Sequence, residues 1–355
     1  MKIERYLKNK VLYVAYGVGR DSTALLIRLH DMGIRPDAIV FADVGSEKPE
    51  TYAYIPIIQR WLKKVQFPPI TIVRVTPKKA PYDTIEGNMV MNATLPGIAF
   101  QVGSCTQKWK IEPQIKWGNH WPLAQEAWAR GEKVVKLIGY DAGEEHRLKR
   151  ADAKAHAGKL TPEGKKYEIH YPLMDWGWDL QRCIDEIAER DLPVPVKSAC
   201  FFCPSQHPWE VVELLNPELR GRIMRIEYTA EGYNKKNKKG EVHVGMWGKR
   251  PKSEDAKPGS ITEFILRQGL KFTPPMKIEA RDPMPMNPNC KKFWSSGKVG
   301  MGKFVFKYDV EHEGPSLREI LKAHGYDTPE AVLGKGREMP PEEEDEFHSD
   351  LLDAL

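Results

Sequence analysis

The segment VLYVAYGVGRDSTALLIRLHDMG, residues 11 to 33, runs from a β-rich stretch into a helix through two glycines, and this junction narrows the possible folds most. Val11 to Tyr16 is short, β-branched and aromatic, the signature of a buried strand. From Ser22 the pattern becomes helical, with Leu25, Leu26 and Leu29 on one face and Gly33 as the C-terminal stop. Where a strand enters a helix through glycines, backbone N–H groups converge and the helix dipole favours negative charge, which points to a phosphate. The alternation continues: Asp37–Asp43 reads as a strand, Pro49–Val65 as a helix opened by proline, and residues 70–75 and 133–139 as two more strands. It predicts an α/β fold built on a doubly wound, mostly parallel sheet.

The chain's 355 residues suffice for a substantial core, as one large domain with additions or as two domains. We expect a nucleotide-binding domain over residues 1–215, an irregular Lys/Pro-rich extension over 216–337 that can wrap back on the cleft, and an acidic tail over 338–355. The tail holds eight Asp/Glu and no Lys/Arg, whereas residues 233–252 carry seven Lys/Arg against one Glu. No apolar run reaches about 18 residues and no signal-peptide pattern is present, so the expectation is a cytoplasmic protein with no membrane partner. Five cysteines, two of them as C-x-x-C, fit metal or redox chemistry better than a secreted disulfide framework.

Doubly wound sheets bind ligands beyond the carboxyl ends of their strands. The first strand ends in Gly17, Val18, Gly19, Arg20, Asp21 and Ser22. The second ends in ADVGSEKPET, with Asp43, Gly45, Glu47 and Glu50, and the strand near 138 ends in GYDAGEEHR, with Gly139, Asp141, Glu144, Glu145 and Arg147. The loop lacks the Lys of a Walker sequence, and Ser22 stands where a dinucleotide fingerprint has its third glycine.

What remains, G-x-G-R-D-S-T, resembles the S-G-G-x-D-S loop of the PP-loop ATP pyrophosphatases and of their phosphoadenosine phosphosulfate reductase-like relatives. Gly19, Asp21 and Ser22 match, while Gly17 and Val18 stand where the family has Ser and Gly. FADVGSEKPET is similar to the family's D-T-G-x-E-x-P-E-T stretch, CTQKWKIEPQ (105 to 114) to its C-T-x-x-x-K-I-x-P element, GYDAGEEHR to a G-x-R-x-x-E-S-x-x-R segment, and YPLMDWGWDLQRCIDEI to a P-L-x-D-W region. These occur in family order over roughly residues 10 to 215. The resemblance implies that Gly17 to Ser22, Asp43, Gly45, Glu47, Gly139 and Glu144 bind an adenine nucleotide, ATP or phosphoadenosine phosphosulfate. It makes Asp21, Ser22, Lys110 and Arg147 the catalytic candidates, with Lys110 and Arg147 directed at anionic groups and Mg2+ as a further cofactor.

Cys200 and Cys203 lie in SACFFCPSQ. Paired thiolates at this spacing suit zinc, an iron–sulfur cluster or a redox disulfide. By the resemblance, Cys105 joins them in an iron–sulfur cluster; Cys290, in MNPNCKKFW, is the candidate fourth ligand, and His207 is the rival that would favour zinc. Cys183 shares an apolar helix face with Leu180, Ile184 and Ile187 and reads as core. Trp117, Trp121 and Trp128 read as core or groove aromatics. The Lys cluster 235–239, followed by Trp247, Lys249, Arg250 and Lys252, is a solvated loop or a nucleic-acid contact.

Two enzymatic readings follow. One cleaves ATP between its α and β phosphates, adenylating an acceptor oxygen that sulfur then displaces, with a sulfur donor protein as partner and nucleic acid as one acceptor. The other reduces phosphoadenosine phosphosulfate, or its unphosphorylated analogue, to sulfite with an external reductant. The reductases' E-C-G-x-H motif is absent from this sequence, which favours the first. A nucleotide- or nucleic-acid-binding module without turnover is the third reading.

Overall fold

A computed structural model describes residues 3–77, 80, 82–100, 104–145, 149, 162–230, 245–248 and 258–273. In chain order the elements are α1 (Ile3–Leu7), β1 (Leu12–Tyr16), α2 (Arg20–Asp31), β2 (Ala38–Asp43), α3 (Pro49–Lys64), β3 (Ile70–Arg74) and α4 (Ile85–Met91). A π-helical turn (Thr106–Ile111), α5 (Glu112–Gly118), α6 (Pro122–Ala129), β4 (Val134–Ile138) and a 3-10 turn (Ala142–Glu144) come next. Then follow α7 (Pro162–Lys166), β5 (Tyr167–His170), α8 (Pro172–Asp175), α9 (Leu180–Ala188), α10 (Pro208–Val212), α11 (Pro217–Ala230) and α12 (Ile261–Arg267). The chain divides into two units, one holding Met1–Arg74 and Lys108–Ala199 with Ser349–Leu355, the other Val75–Gln107 and Cys200–His348.

The first unit is built on one five-stranded sheet in the order β3-β2-β1-β4-β5, and every strand pair is parallel. Val14 sits beside Ile39 on one side and Leu137 on the other. Successive side chains on a strand point to opposite faces, and a parallel sheet buries both. Val14, Tyr16, Ile39, Phe41, Val135 and Leu137 accordingly pack with Leu25, Leu26 and Leu29 of α2, with Ile55, Ile58 and Leu62 of α3, and with Cys183 and Ile187 of α9. Their neighbours Tyr13, Val40, Val134 and Tyr167 face the other way, onto Ala124 and Ala127 of α6, with Trp117, Trp121 and Trp128 packed against that cluster. The α/β class and parallel sheet expected from the alternation are what the structure has.

The chain moves outward from β1 through β2 to β3, then returns to the far side of β1 for β4 and β5. That reversal leaves a crevice beyond the carboxyl ends of β1 and β4, the switch point at which such sheets take ligands.

In the second unit, α4 and α11 are tied by charge. Both Glu86 oxygens accept from Arg222, and Oε1 also accepts from Arg225 Nη2 at 2.6 Å. Glu227 of α11 is fully enclosed and accepts from Met246 N (2.8 Å), Ile261 N (3.0 Å), Thr262 N (2.7 Å) and the hydroxyls of Ser260 and Thr262. Arg220 donates to the carbonyls of Val211, Val212, Leu214 and Lys271. These bonds hold the N-terminus of α12 and the turn at Met246 to α11.

Candidate functional site

β1 ends at Tyr16, whose hydroxyl pairs with Thr23 at 3.0 Å inside the core. The chain then turns through Val18, whose φ of +57° is left-handed although its side chain is fully buried. A β-branched residue there is strained, and its burial in the core is what holds the turn. Gly19 caps α2, and Ser22 in its first turn closes the loop. Ser22 Oγ accepts from Gly17 N at 3.2 Å and Gly19 N at 3.4 Å, and donates to the Gly19 carbonyl at 3.2 Å. The two amide bonds are long for N–H···O, so an anionic oxygen placed at the loop would be a better acceptor for both amides. Arg20 is the first residue of α2, and Asp21 is the acidic residue of its first turn.

β4 delivers its end directly onto this loop. A Cβ on Gly139 would stand 2.9 Å from both Ser22 Cα and Ser22 N, and 3.0 Å from the Asp21 carbonyl carbon. Those are backbone atoms, so only glycine allows the approach. Two residues on, Asp141 is buried and caps the 3-10 turn by accepting from Gly143 N at 2.7 Å. Carboxylate oxygens of Asp21, Asp141 and Glu144 all lie within 4.8 Å of one another. Three like charges at that separation repel, and a cation relieves the repulsion. An all-carboxylate set is a hard-oxygen donor set, which fits Mg2+ rather than a thiophilic metal.

The loop after β2 divides into a saturated part and an unsaturated one. Asp43 is buried; Oδ1 accepts from Gly45 N and the Tyr52 hydroxyl, both at 2.7 Å, and Oδ2 from Arg74 Nε at 2.8 Å and Nη2 at 2.5 Å. Gly45 supports this with a left-handed φ of +67°. Burial, and then the Asp43 charge, push the Tyr52 hydroxyl well above the ordinary phenol range, so it stays a donor. Glu47, 3% exposed, receives the Lys110 ammonium on Oε1 at 2.9 Å. Its Oε2 is enclosed and accepts no hydrogen bond among the described residues. A buried carboxylate oxygen in that state is costly unless something donates to it.

Gly17 to Ser22, Gly139, Asp141 and Glu144 are therefore together at the β1/β4 crevice, while Lys110 lies against Glu47 at the carboxyl end of the neighbouring β2. Arg147 and Cys290 lie outside the described residues, as do the basic positions 235–239, 249, 250 and 252, the acidic tail and the extension beyond residue 273. Cys105, Cys200 and Cys203 belong to the second unit and are half-buried. Cys200 and Cys203 close one turn through a bond from Cys203 N to the Cys200 carbonyl at 3.0 Å. His207 stacks on Trp209, with ring centroids 6.0 Å apart. Among the described residues, neither Cys105, Cys200 and Cys203 nor the C-x-x-C with His207 forms a group of ligand atoms within 4.8 Å of one another. Cys183 is fully buried, and burial raises its thiol pKa far above the ordinary range.

Two participants went unread in the sequence. Arg74 closes β3 in an ordinary apolar strand pattern, and nothing there announces a partner 31 residues earlier. Ser198, in the run KSAC, reads only as the approach to Cys200. Its Oγ nevertheless lies 3.5 Å from where Cβ atoms on Gly17 and Gly19 would stand. No helix of the described residues is long and apolar enough to cross a membrane. Comparison with models of known protein families gives no match, and comparison with curated proteins gives none.

Proposed function

We propose that this chain is a nucleotide-dependent enzyme resembling the phosphoadenosine phosphosulfate reductase-like members of the PP-loop ATP pyrophosphatase superfamily, and that it cleaves ATP between the α and β phosphates. The observation that carries this reading is the crevice itself, where a strained glycine loop is backed by Gly139 and faced by three converging carboxylates at the switch point of a parallel sheet. The amides of Gly17 and Gly19, the Ser22 hydroxyl and the positive end of α2 would bind the β and γ phosphates, with Arg20 countering their charge. Asp21, Asp141 and Glu144 would hold the divalent cation, which supplies charge neutralisation on the leaving pyrophosphate. Glu47 would accept from a donor on the nucleotide, such as a ribose hydroxyl or the exocyclic amine.

In the reaction an acceptor oxygen attacks the α phosphorus, the bond to the α–β bridging oxygen breaks, and pyrophosphate leaves with that electron pair. A sulfur nucleophile then displaces AMP from the adenylated acceptor. Sulfur handling would fall to Cys105, Cys200, Cys203 and Cys290 as ligands of an iron–sulfur cluster, which, unlike a single zinc ion, does not require its ligand atoms within 4.8 Å of one another. Iron and sulfide analysis of anaerobically purified protein tests that part separately.

The reaction is tested with α-labelled ATP and Mg2+. AMP and pyrophosphate are the expected products, and Asp21→Asn should lower turnover at least tenfold with the fold intact by circular dichroism. Formation of ADP and phosphate, or no turnover together with binding of phosphoadenosine phosphosulfate and sulfite release, overturns the reading.

A further inference from the structure

Ser198 stands over the glycine loop, and the reaction above does not use it. Its Oγ is 3.5 Å from the position of a Cβ on Gly17 and 3.5 Å from that on Gly19, while Ser22 Oγ is 3.7 Å from the Gly17 position. Gly17 is thus flanked by two hydroxyls from distant parts of the chain. The two differ in how far they are committed. Ser22 is buried, and its Oγ already accepts two amide bonds and donates one. Ser198 is half-buried, and its hydroxyl forms no hydrogen bond among the described residues. Packing on two glycines fixes where this hydroxyl sits, while its proton and lone pairs stay available to a ligand.

We infer that Ser198 is a ligand-binding residue of the phosphate site, donating its hydroxyl proton to an oxygen of the bound polyphosphate beside Gly17. The inference rests on the nucleotide reading above and adds a residue to it. Glycine at position 17 carries no hydroxyl of its own, and the Ser198 hydroxyl stands within van der Waals contact of where its side chain would begin. Hydrogen bonds to charged groups are the stronger class, so losing this one should be measurable as affinity.

The test titrates the full chain calorimetrically with inorganic pyrophosphate, Mg2+-ATP and adenosine. Ser198→Ala should weaken pyrophosphate and ATP binding about tenfold while leaving adenosine binding and thermal stability unchanged. A Cβ at Gly17 would make only ordinary contacts, and the φ there is not left-handed, so Gly17→Ser can be added to Ser198→Ala. The double variant returns a hydroxyl to the same place and should recover most of the lost affinity. Binding by Ser198→Ala within twofold of wild type, or a loss that Gly17→Ser does not recover, overturns the inference and leaves the nucleotide reading standing. A wild-type protein that binds neither pyrophosphate nor ATP overturns both.

Discussion

In the second unit, Glu86 and Glu227 are buried carboxylates met by donors from the protein, two arginines in one case and three amides with two hydroxyls in the other. In the first unit, Asp21, Asp141 and Glu144 converge on one another, and Glu47 keeps an enclosed oxygen without a donor among the described residues. The contrast separates carboxylates matched by opposite charge or donors from carboxylates crowded against one another. A saturated carboxylate gains nothing from a ligand, whereas crowded carboxylates are relieved by one. Asp43 shows that the distinction follows the site and not the unit. It lies beside the crevice yet is fully engaged by Arg74, Tyr52 and Gly45, and so serves as framework.

The largest expected effect breaks the saturated side. Glu86→Ala leaves two arginine charges facing a cavity, and denaturant unfolding should show a loss of about 3–5 kcal/mol. The effect should depend on pH. Burial raises the Glu86 pKa, but Arg222 and Arg225 more than offset this and hold it below the ordinary 4.5. Its contribution is therefore present above about pH 4.5 and is lost as pH falls through the folded value. The gap between wild type and Glu86→Gln should close in that acid range. Glu227 is shifted the opposite way, upward, by burial against its donors, so its contribution fades as pH rises through its folded value.

The next effect is smaller and opposite in sign. Glu144→Gln removes one of three repelling charges, so the ligand-free protein should gain about 0.5–1 kcal/mol, in the range of modest charge interactions. The same variant should weaken Mg2+-dependent ATP binding about tenfold. If Glu144→Gln destabilises the protein as Glu86→Gln does, the acidic trio is framework and the contrast between the two kinds of charge collapses.

Most of the sheet was legible because β1 to β4 are apolar, β-branched runs whose structural limits fall within a residue or so of the sequence reading. β5 was not. Tyr167–His170 is a four-residue edge strand in which only Tyr167 is buried, too short and too polar to register as a run. The placing of β4 beside β1 comes from long-range packing that no local pattern encodes. The same split holds at the crevice. Gly19, Asp21, Ser22 and Glu144 are visible because glycines and acids at strand ends are rare enough to carry meaning. Ser198 is not, because a lone serine in a loop carries none until its neighbours are known. Gly139 is singled out by the resemblance, but only the 2.9 Å approach to Ser22 shows why no side chain is allowed there.

The finest comparison is between two variants of Val18, where fold and site meet in one residue. Its side chain is fully buried with the α2 and α3 core, yet its backbone is left-handed. Val18→Ala loses about 1.5–2.5 kcal/mol of burial and cavity terms and keeps the strain. Val18→Gly loses slightly more burial but removes about 1–2 kcal/mol of left-handed strain. The glycine variant should therefore be at least as stable as the alanine variant, with a difference of about 1 kcal/mol or less, reversing the usual order in a core. Glycine also frees the turn that the valine anchor holds, so Val18→Gly should bind pyrophosphate more weakly than Val18→Ala despite its equal or better stability. An alanine variant clearly more stable than the glycine variant would mean that the turn stores no strain. The loop would then owe its shape to the Ser22 hydrogen bonds alone.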